Sequence, residues 1–226
     1  MGTLYIIGTP IGNLGDLTFR AVEVLKSLDI LACEDTRRTL KLLNHLAVPV
    51  PLVSCRSGNE EQAARRVLRV LAEGKNAGYT SDAGTPALSD PGGLLTRRAA
   101  GAGHQVLPVP GPSAFTSLVS VAGSLDKQAL FEGFLSPKAG RRRARLQELL
   151  ALGTAFVLYE SPRRILKLMG DLAELDGARY VCIGREMTKI HEEYLRGPAR
   201  EVLGLLETRD AQMGEFSVYV ASKKID

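Results

Sequence analysis

Residues 8–16 read GTPIGNLGD and directly follow a short apolar run at residues 4–7. Two further loops rich in glycine, proline and small polar residues, SDAGTP at 81–86 and PVPGPSA at 108–114, also follow apolar runs and precede helix-like stretches. In an open α/β sheet, loops at the carboxyl ends of the strands line the ligand crevice. Glycine lets the backbone approach a ligand closely, and proline fixes a turn. These loops therefore predict one small-molecule site built mainly from backbone.

Strand-like runs alternate with helical stripes through the first half of the chain. The runs lie at residues 4–7, 30–33, 48–53, 76–80 and 105–109. This alternation predicts a mostly parallel sheet with helices on both faces. The proline-containing run at 48–53 is expected near a sheet edge. Asn59 and Gln62 have the spacing of a capping box at the start of the next helix.

The pattern changes after about residue 112. Strands are expected at 129–135, 155–159 and 180–183, and the alternation of apolar and polar residues at 216–221 predicts a half-exposed antiparallel strand. The sequence thus predicts an α/β protein of two α/β domains, residues 1–112 and 113–226. The N-terminal sheet should be mostly parallel and the C-terminal sheet mixed, with the ligand crevice between the domains.

Composition excludes several classes of protein. No apolar run among the 226 residues approaches the ~20 that a membrane span needs, and no secretory signal is expected because the first residues lack a basic region. Three widely spaced cysteines favour buried, reduced thiols in a cytoplasmic protein over a metal or redox role. The three scattered histidines form no ligand pattern, so no metal site is expected.

Positive charge is concentrated in one segment. Residues 138–145 carry five basic side chains, whereas the whole chain has a net charge of only +4. A local patch of this kind indicates contact with phosphate. A solvated helix start is the alternative, although arginine near a helix N-terminus opposes the helix dipole.

The loops match none of the common nucleotide or hydrolase motifs. The first loop lacks both G-x-G-x-x-G and the Gly-Lys-Ser/Thr of a phosphate loop, and the chain has no G-x-S-x-G elbow. Asp82 stands at a strand end in a tight turn. It could cap that turn, or it could hold a ribose hydroxyl or an ammonium group.

Eight motifs occur in order along essentially the whole chain. They are TPIGNLGD at 9–16, EDTR at 34–37, SDAGTP at 81–86 with SDPG at 89–92, PGPSA at 110–114, FEGFL at 131–135, GRRR at 140–143, YESPR at 159–163 and GEF at 214–216. Together they resemble the 16S rRNA (cytidine-2′-O)-methyltransferase family, part of the tetrapyrrole-methylase superfamily of class III methyltransferases. The chain departs from that family in a histidine-free segment at 54–60, in Cys33 where a small residue is usual, and in ending after its last strand where many members continue into a helical tail.

The resemblance implies a cytoplasmic homodimer that binds S-adenosylmethionine between two domains. It also implies methylation of a ribose 2′-hydroxyl in the decoding region of small-subunit rRNA. The cofactor contacts that it implies are Pro10, Ser81, Asp82, Ala83, Gly84, Thr85, Ser113, Tyr159 and Glu215. The substrate contacts expected are Asn13, Lys138, Arg141, Arg142, Arg143 and Arg163, although Arg163 could instead pair with Glu160.

Transfer of a methyl group to a 2′-hydroxyl requires a group that accepts the hydroxyl proton. A carboxylate whose pKa is raised by burial suits this role. Glu34 and Asp35 end a strand beside the first loop and are the candidates, with Arg37 orienting substrate phosphate or the carboxylates. The alternative is a helix N-cap with a structural ion pair.

Two other functions are compatible with the sequence. A methyltransferase for a small molecule such as a tetrapyrrole could use the same fold. A non-catalytic nucleotide-binding or ribosome-associated module would require a vestigial cofactor site, yet all three loops are intact. The basic segment and the EDTR motif favour RNA as the substrate.

Overall fold

The computed structural model describes residues 2–86, 90–209 and 212–223. The chain forms two compact units, Met1–Ser113 and Ala114–Asp226. Each unit is built on one five-stranded sheet, so the α/β class predicted from the sequence is confirmed.

The first unit has a fully parallel sheet. Its elements are β1 (Thr3–Ile7), a 3₁₀ turn (Leu14–Asp16), α1 (Phe19–Lys26), β2 (Ile30–Cys33), α2 (Thr36–Leu46), β3 (Leu52–Ser54), α3 (Glu60–Ala72), β4 (Ala77–Thr80), α4 (Gly93–Gly101) and β5 (Gln105–Val109). The strand order is β3-β2-β4-β1-β5, and every pairing is parallel. The parallel sheet and the edge position of the third strand are both as predicted.

Helices cover both faces of this sheet. Leu25 of α1 and Leu43 of α2 belong to the core on one face, while Val67 of α3 and Leu95 of α4 belong to the core on the other. Central strands buried on both faces read as nearly continuous apolar runs, as the four buried residues of β2 do. With both faces covered, the loops at the carboxyl edge of the sheet are left to form a site.

The second unit has a mixed sheet, as predicted. Its elements are α5 (Ala114–Val121), β6 (Ala129–Gly133), α6 (Ala139–Ala151), β7 (Ala155–Glu160), α7 (Ile165–Asp176), β8 (Tyr180–Arg185), β9 (Glu193–Pro198), α8 (Ala199–Glu207) and β10 (Phe216–Val220). The strand order is β6-β7-β10-β8-β9; β6 and β7 are parallel, and the other pairings are antiparallel. The sequence did not predict β9 or α8.

Two local predictions were wrong. β10 is not half-exposed, because it lies between β7 and β8 and all five of its residues are buried. Asn59 does not cap α3 through its side chain. Its Oδ1 instead accepts a hydrogen bond from the N–H of Arg56 (2.8 Å), and its Nδ2 donates to the carbonyl of Ser54 (3.1 Å).

The cysteines Cys33, Cys55 and Cys182 are buried and unpaired. Within the described ranges, no helix is long and apolar enough to cross a bilayer. The same residues contain no group of three or more His, Cys, Asp or Glu side chains that could hold a metal ion.

Candidate active site

Three loops of the first unit are tied together by backbone hydrogen bonds. Thr9 and Gly84 exchange two of them, from the N–H of Thr9 to the carbonyl of Gly84 (2.9 Å) and in return (3.0 Å). The N–H of Gly8 donates to the carbonyl of Val109 at 3.0 Å. The hydroxyl of Thr85 donates to the carbonyl of Pro112 at 3.1 Å. The loops that follow β1, β4 and β5 therefore meet at one place, at the carboxyl edge of the sheet.

Glycine is required where the first and third of these loops touch. A Cβ added at Gly8 would lie 2.8 Å from the Cα of Gly111, and a Cβ added at Gly111 would lie 2.8 Å from the carbonyl oxygen of Gly8. Neither backbone can yield without disturbing the other. Gly84 in the second loop has a φ of +78°, a conformation that L side chains rarely adopt. The first and third loops therefore touch through backbone atoms alone.

Asp82 joins the ends of two strands. Its Oδ1 accepts a hydrogen bond from the N–H of Asp35 at 3.0 Å, and its Oδ2 lies 3.4 Å from Nη1 of Arg38. Its own N–H donates to Oε2 of Glu34 at 3.4 Å. The side chain therefore binds the residues that follow β2, while Ser81 bridges the local turn through a hydrogen bond to the carbonyl of Ala83 (3.2 Å).

The two candidate bases have different surroundings. Asp35 caps α2 by accepting from the N–H of Arg37 (2.8 Å), and the guanidinium of Arg37 binds the same carboxylate (3.2 and 2.9 Å). Side-chain and backbone hydrogen bonds from Arg37 lower the pKa of Asp35 to about 2. Asp35 is thus a helix N-cap with a structural ion pair, which was the alternative to a role as the base. For Glu34, desolvation and then the nearby charge of Asp82 raise the pKa of its carboxyl, which suits a proton acceptor better.

The remaining predicted residues of the first unit lie on or near the same edge. Pro10, Ser81 and Asp82 line a cavity of about 200 Å³ beside α2. Asn13 is exposed and caps the 3₁₀ turn by accepting from the N–H of Gly15 (2.9 Å). Ala83 and Thr85 are also exposed, and Ser113 is half-buried at the end of the unit.

Two predicted cofactor residues belong to the second unit. Tyr159, near the end of β7, packs edge-to-face against Phe131 (5.0 Å between ring centroids) and Phe134 (5.8 Å). Glu215 directly precedes β10, is 78% exposed in its side chain and pairs with Lys189 at 3.0 Å.

The basic segment is less available than its sequence indicates. Arg142 is only 4% exposed, and its Nε lies 2.6 Å from Oδ2 of Asp171. Arg143 pairs with Asp171 and Glu174, and Arg145 pairs with Glu132 and Glu148. Four carboxylates thus face three of the five cations, and the prediction of Arg142 as a substrate contact is wrong because this side chain is buried against Asp171.

Two cations of this segment and one outside it remain exposed. Lys138 and Arg141 lie on the surface at the start of α6, and Arg163 lies on the surface before α7. Glu160 pairs with Arg164 through two contacts of 2.7 Å. The alternative role for Arg163, an ion pair with Glu160, is therefore taken by Arg164. Three of the predicted RNA-binding cations are therefore accessible to phosphate.

Sequence reasoning missed several residues that line the cavity beside α2, among them Arg38, Lys41 and Thr80. Arg38 directly follows the EDTR motif, and Thr80 directly precedes the second loop, so their positions next to strand ends were the available signal. Lys41 lies one turn further along α2, and no motif marks it.

The first unit is an α/β fold whose backbone-rich loops meet at the carboxyl edge of a parallel sheet. A family model described as Tetrapyrrole (Corrin/Porphyrin) Methylases matches residues 3–203. The chain belongs to this family, and it is a methyltransferase.

Similar proteins extend over almost the whole chain. One, a "Ribosomal RNA small subunit methyltransferase I" from Borrelia garinii, is 46% identical over 219 residues, covering 96% of this chain and 98% of its own. Another of the same name from Thermotoga maritima is 42% identical over 224 residues, covering 99% and 100%. The Bacillus subtilis protein of that name is 38% identical and covers 97% of this chain and 75% of its own.

Solved structures share the fold at low sequence identity. A cobalt precorrin-4 methyltransferase matches with a TM-score of 0.68 and 16% identity, covering 97% of this chain and 94% of its own. A uroporphyrin-III C-methyltransferase from Thermus thermophilus matches with a TM-score of 0.64 and 18% identity, covering 98% and 95%. These likenesses support the tetrapyrrole-methylase fold alone.

Proposed function

We propose that this chain transfers a methyl group from S-adenosylmethionine to the ribose 2′-hydroxyl of a cytidine in 16S rRNA. The observation that carries this proposal is near-full-length similarity to relatives named as ribosomal RNA small subunit methyltransferases. A tetrapyrrole substrate is not favoured, because the tetrapyrrole enzymes resemble this chain at 16–18% identity, a level that supports fold and not substrate.

The loops of the first unit fit a charged small molecule. The contact of Gly8 with Gly111 keeps side chains out of the point where two loops meet, and the carboxylate of Asp82 offers an anion to a cationic group. Bound there, the donor would supply an already activated methyl group. The residues that would hold it are Pro10, Ser81, Asp82, Ala83, Gly84, Thr85 and Ser113, with Tyr159 and Glu215 from the second unit.

The protein's own part in the reaction is to position the ribose and accept its proton. In well-oriented reactions, orientation alone can supply up to about 7–11 kcal/mol of the barrier. In this proposal the carboxylate of Glu34 accepts the proton of the 2′-hydroxyl as the new bond forms. Arg37, whose side chain is 88% exposed, orients a substrate phosphate while holding Asp35 in place at the N-terminus of α2.

The proposed RNA contacts are revised by the burial of Arg142. Lys138, Arg141 and Arg163 are exposed and are proposed to bind RNA phosphates, with Asn13 on the substrate side of the first loop. Arg143 is partly exposed and shares its charge with two carboxylates. Arg142 is left out of the proposed contact because Asp171 and the surrounding protein enclose it.

A transfer assay tests this function. The protein is incubated with methyl-labelled S-adenosylmethionine and, separately, with undermethylated small ribosomal subunits, naked 16S rRNA and a tetrapyrrole precursor. We expect label in the 16S rRNA, at one cytidine whose 3′ linkage resists alkaline cleavage because its 2′-oxygen is methylated. Label in the tetrapyrrole alone would contradict the assignment of rRNA as the substrate. If calorimetry detects no binding of S-adenosylmethionine, the assignment of methyltransferase activity is wrong.

Two accompanying features belong to the same proposal. A homodimer is expected, and sedimentation of the purified protein measures it directly. A cytoplasmic location, where cysteines stay reduced, agrees with three buried, unpaired thiols and with a ribosomal substrate.

A further inference from the structure

The cavity beside α2 has polar and apolar walls drawn from three parts of the first unit. The end of β4 supplies its floor, with Thr80 and Ser81. The loop after β1 contributes residues that include Thr9 and Leu14, and α2 contributes Arg38, Thr39, Lys41 and Leu42. The volume is about 200 Å³, below the roughly 300–1,000 Å³ of pockets that enclose a drug-sized ligand. A fragment of a larger molecule fits this space better than a whole cofactor does.

Thr80 brings an unusual polar group to this floor. The residue is 1% exposed, and its Oγ1 is buried with no hydrogen-bond partner among the described residues. A buried hydroxyl without a partner lowers stability, and native proteins leave few such groups. Thr80 is one of the residues that line the cavity, so we assign the missing partner of its hydroxyl to a ligand held there.

The rim of the cavity carries positive charge. Arg38 and Lys41 lie on successive turns of α2, both are exposed, and both line the cavity. Arg38 has one contact with Asp82 at 3.4 Å, a weak geometry that an incoming anion could replace. An unpartnered hydroxyl on the floor and two cations on the rim match the sugar hydroxyl and the phosphate of a nucleotide.

We infer that this cavity receives the ribose and phosphate of one nucleotide of the RNA substrate. Thr80 is a positioning residue that hydrogen-bonds a sugar hydroxyl, and Arg38 and Lys41 bind the adjoining phosphate. This inference rests on the proposed function and adds to it a substrate subsite in the first unit, separate from the exposed cations of the second unit.

The test compares binding of undermethylated small subunits by five variants: Arg38→Ala, Lys41→Ala, Thr80→Val, Thr80→Ser and Arg66→Ala. Arg66 is an exposed cation of α3, on the opposite face of the sheet, and is the matched control. Binding is measured over a range of salt concentrations with S-adenosylhomocysteine present, and the affinity of each variant for S-adenosylhomocysteine is measured separately by calorimetry. Thermal unfolding of each variant checks that it is folded.

We expect Arg38→Ala and Lys41→Ala each to weaken subunit binding and to flatten the dependence of log affinity on log salt by about 0.7. Thr80→Val should weaken binding about three- to tenfold, the value of one hydrogen bond, whereas Thr80→Ser keeps the hydroxyl and should bind like the wild type. Arg66→Ala should behave like the wild type in subunit affinity, and all five variants should retain their affinity for S-adenosylhomocysteine.

Two results would overturn the subsite. One is unchanged subunit binding and salt dependence in the α2 variants. The other is loss of S-adenosylhomocysteine affinity in Thr80→Val, which would assign the cavity to the donor. Failure of the proposed function itself has a different signature, because the wild-type protein would then bind neither S-adenosylhomocysteine nor subunits.

Discussion

The backbone N–H of Asp35 donates a 3.0 Å hydrogen bond to Oδ1 of Asp82, so the end of β2 is fixed to the end of β4. These residues are 47 positions apart in the chain but follow neighbouring parallel strands. The bond holds Glu34 beside the second loop, where the N–H of Asp82 donates to it in turn. One carboxylate thereby sets the distance between the proposed base and the proposed donor-binding loop.

Removing this carboxylate should loosen both strand ends. In Asp82→Ala, the N–H of Asp35 loses its acceptor, and an unsatisfied, partly buried group costs about 1–3 kcal/mol. We expect a lower free energy of unfolding in urea and at least tenfold weaker S-adenosylmethionine binding by calorimetry. Asp82→Asn keeps an acceptor oxygen and should retain stability while losing donor affinity. If it binds the donor like the wild type, the charge of Asp82 has no part in binding.

Gly8→Ala should destabilise the first unit, because the new Cβ would meet the Cα of Gly111 at 2.8 Å. Overpacking of this kind costs about 1–3 kcal/mol, measurable by urea unfolding. Gly204→Ala is the matched control, since a Cβ at this exposed position of α8 meets nothing within 4 Å. It should be neutral or stabilise by about 0.5–1 kcal/mol. Equal unfolding curves for the two variants would show that the glycine contact is not required.

The sequence predicted the parallel sheet and its loops well because those features are local. Buried runs such as β2 and the glycine- and proline-rich segments after β1 and β4 are visible within ten residues of sequence. Burial of β10 depended on a distant partner. The hydroxyl of Tyr219 donates to Asp126 at 2.7 Å, across 93 positions, which allows a polar group to lie inside the sheet.

Long-range ion pairs also account for the errors at the site. Arg142 is buried because Asp171, on α7, pairs with it; periodicity in α6 alone carries no sign of that partner. β9 escaped prediction for a similar reason. Its first residue, Glu193, is charged, but it is paired with Arg185 and Arg209 and can therefore begin a strand.

Two neighbouring arginines of α6 should give opposite phenotypes. Arg142→Ala leaves the largely buried Asp171 with only the 3.5 Å contact from Arg143, and breaking a buried pair costs up to about 3–5 kcal/mol. Arg141 is exposed, so Arg141→Ala should leave the unfolding free energy unchanged and instead weaken binding to small subunits, with a salt dependence flatter by about 0.7. Urea unfolding and binding titrations measure the two effects. A stable Arg142→Ala protein with reduced RNA affinity would restore Arg142 to the RNA contact.

Stability of the second unit should fall in acid through Asp126. Desolvation opposes its ionisation, but hydrogen bonds from Ser222, Ser124 and Tyr219 outweigh it and lower the pKa from 3.8 to about 2. A carboxylate whose pKa is lower in the folded state stabilises that state at every pH above its unfolded-state pKa. This contribution is lost as the pH falls from 3.8 towards 2. Asp126→Asn should therefore reduce the difference in unfolding free energy between pH 6 and pH 2. Identical pH dependence in both proteins would contradict this assignment.

The identity of the base can be decided by a pair of conservative substitutions. Glu34→Gln removes the carboxylate whose pKa is raised by desolvation and by the charge of Asp82. A general base contributes about 10²–10⁴-fold to the rate, so the single-turnover rate should fall by that range. Asp35→Asn keeps a good helix cap and should retain a rate near that of the wild type.

The pH profile separates chemistry from misfolding in this experiment. The wild-type rate at saturating donor and subunits should rise with pH through a pKa above the usual 4.5 of a glutamic acid, because only the ionised carboxylate accepts a proton. This rise of the rate with pH should be absent in Glu34→Gln and should persist in Asp35→Asn. A Glu34→Gln protein that keeps both the wild-type rate and its rise with pH would show that another group accepts the proton. A loss confined to Asp35→Asn would transfer the role to Asp35 despite its ion pair with Arg37.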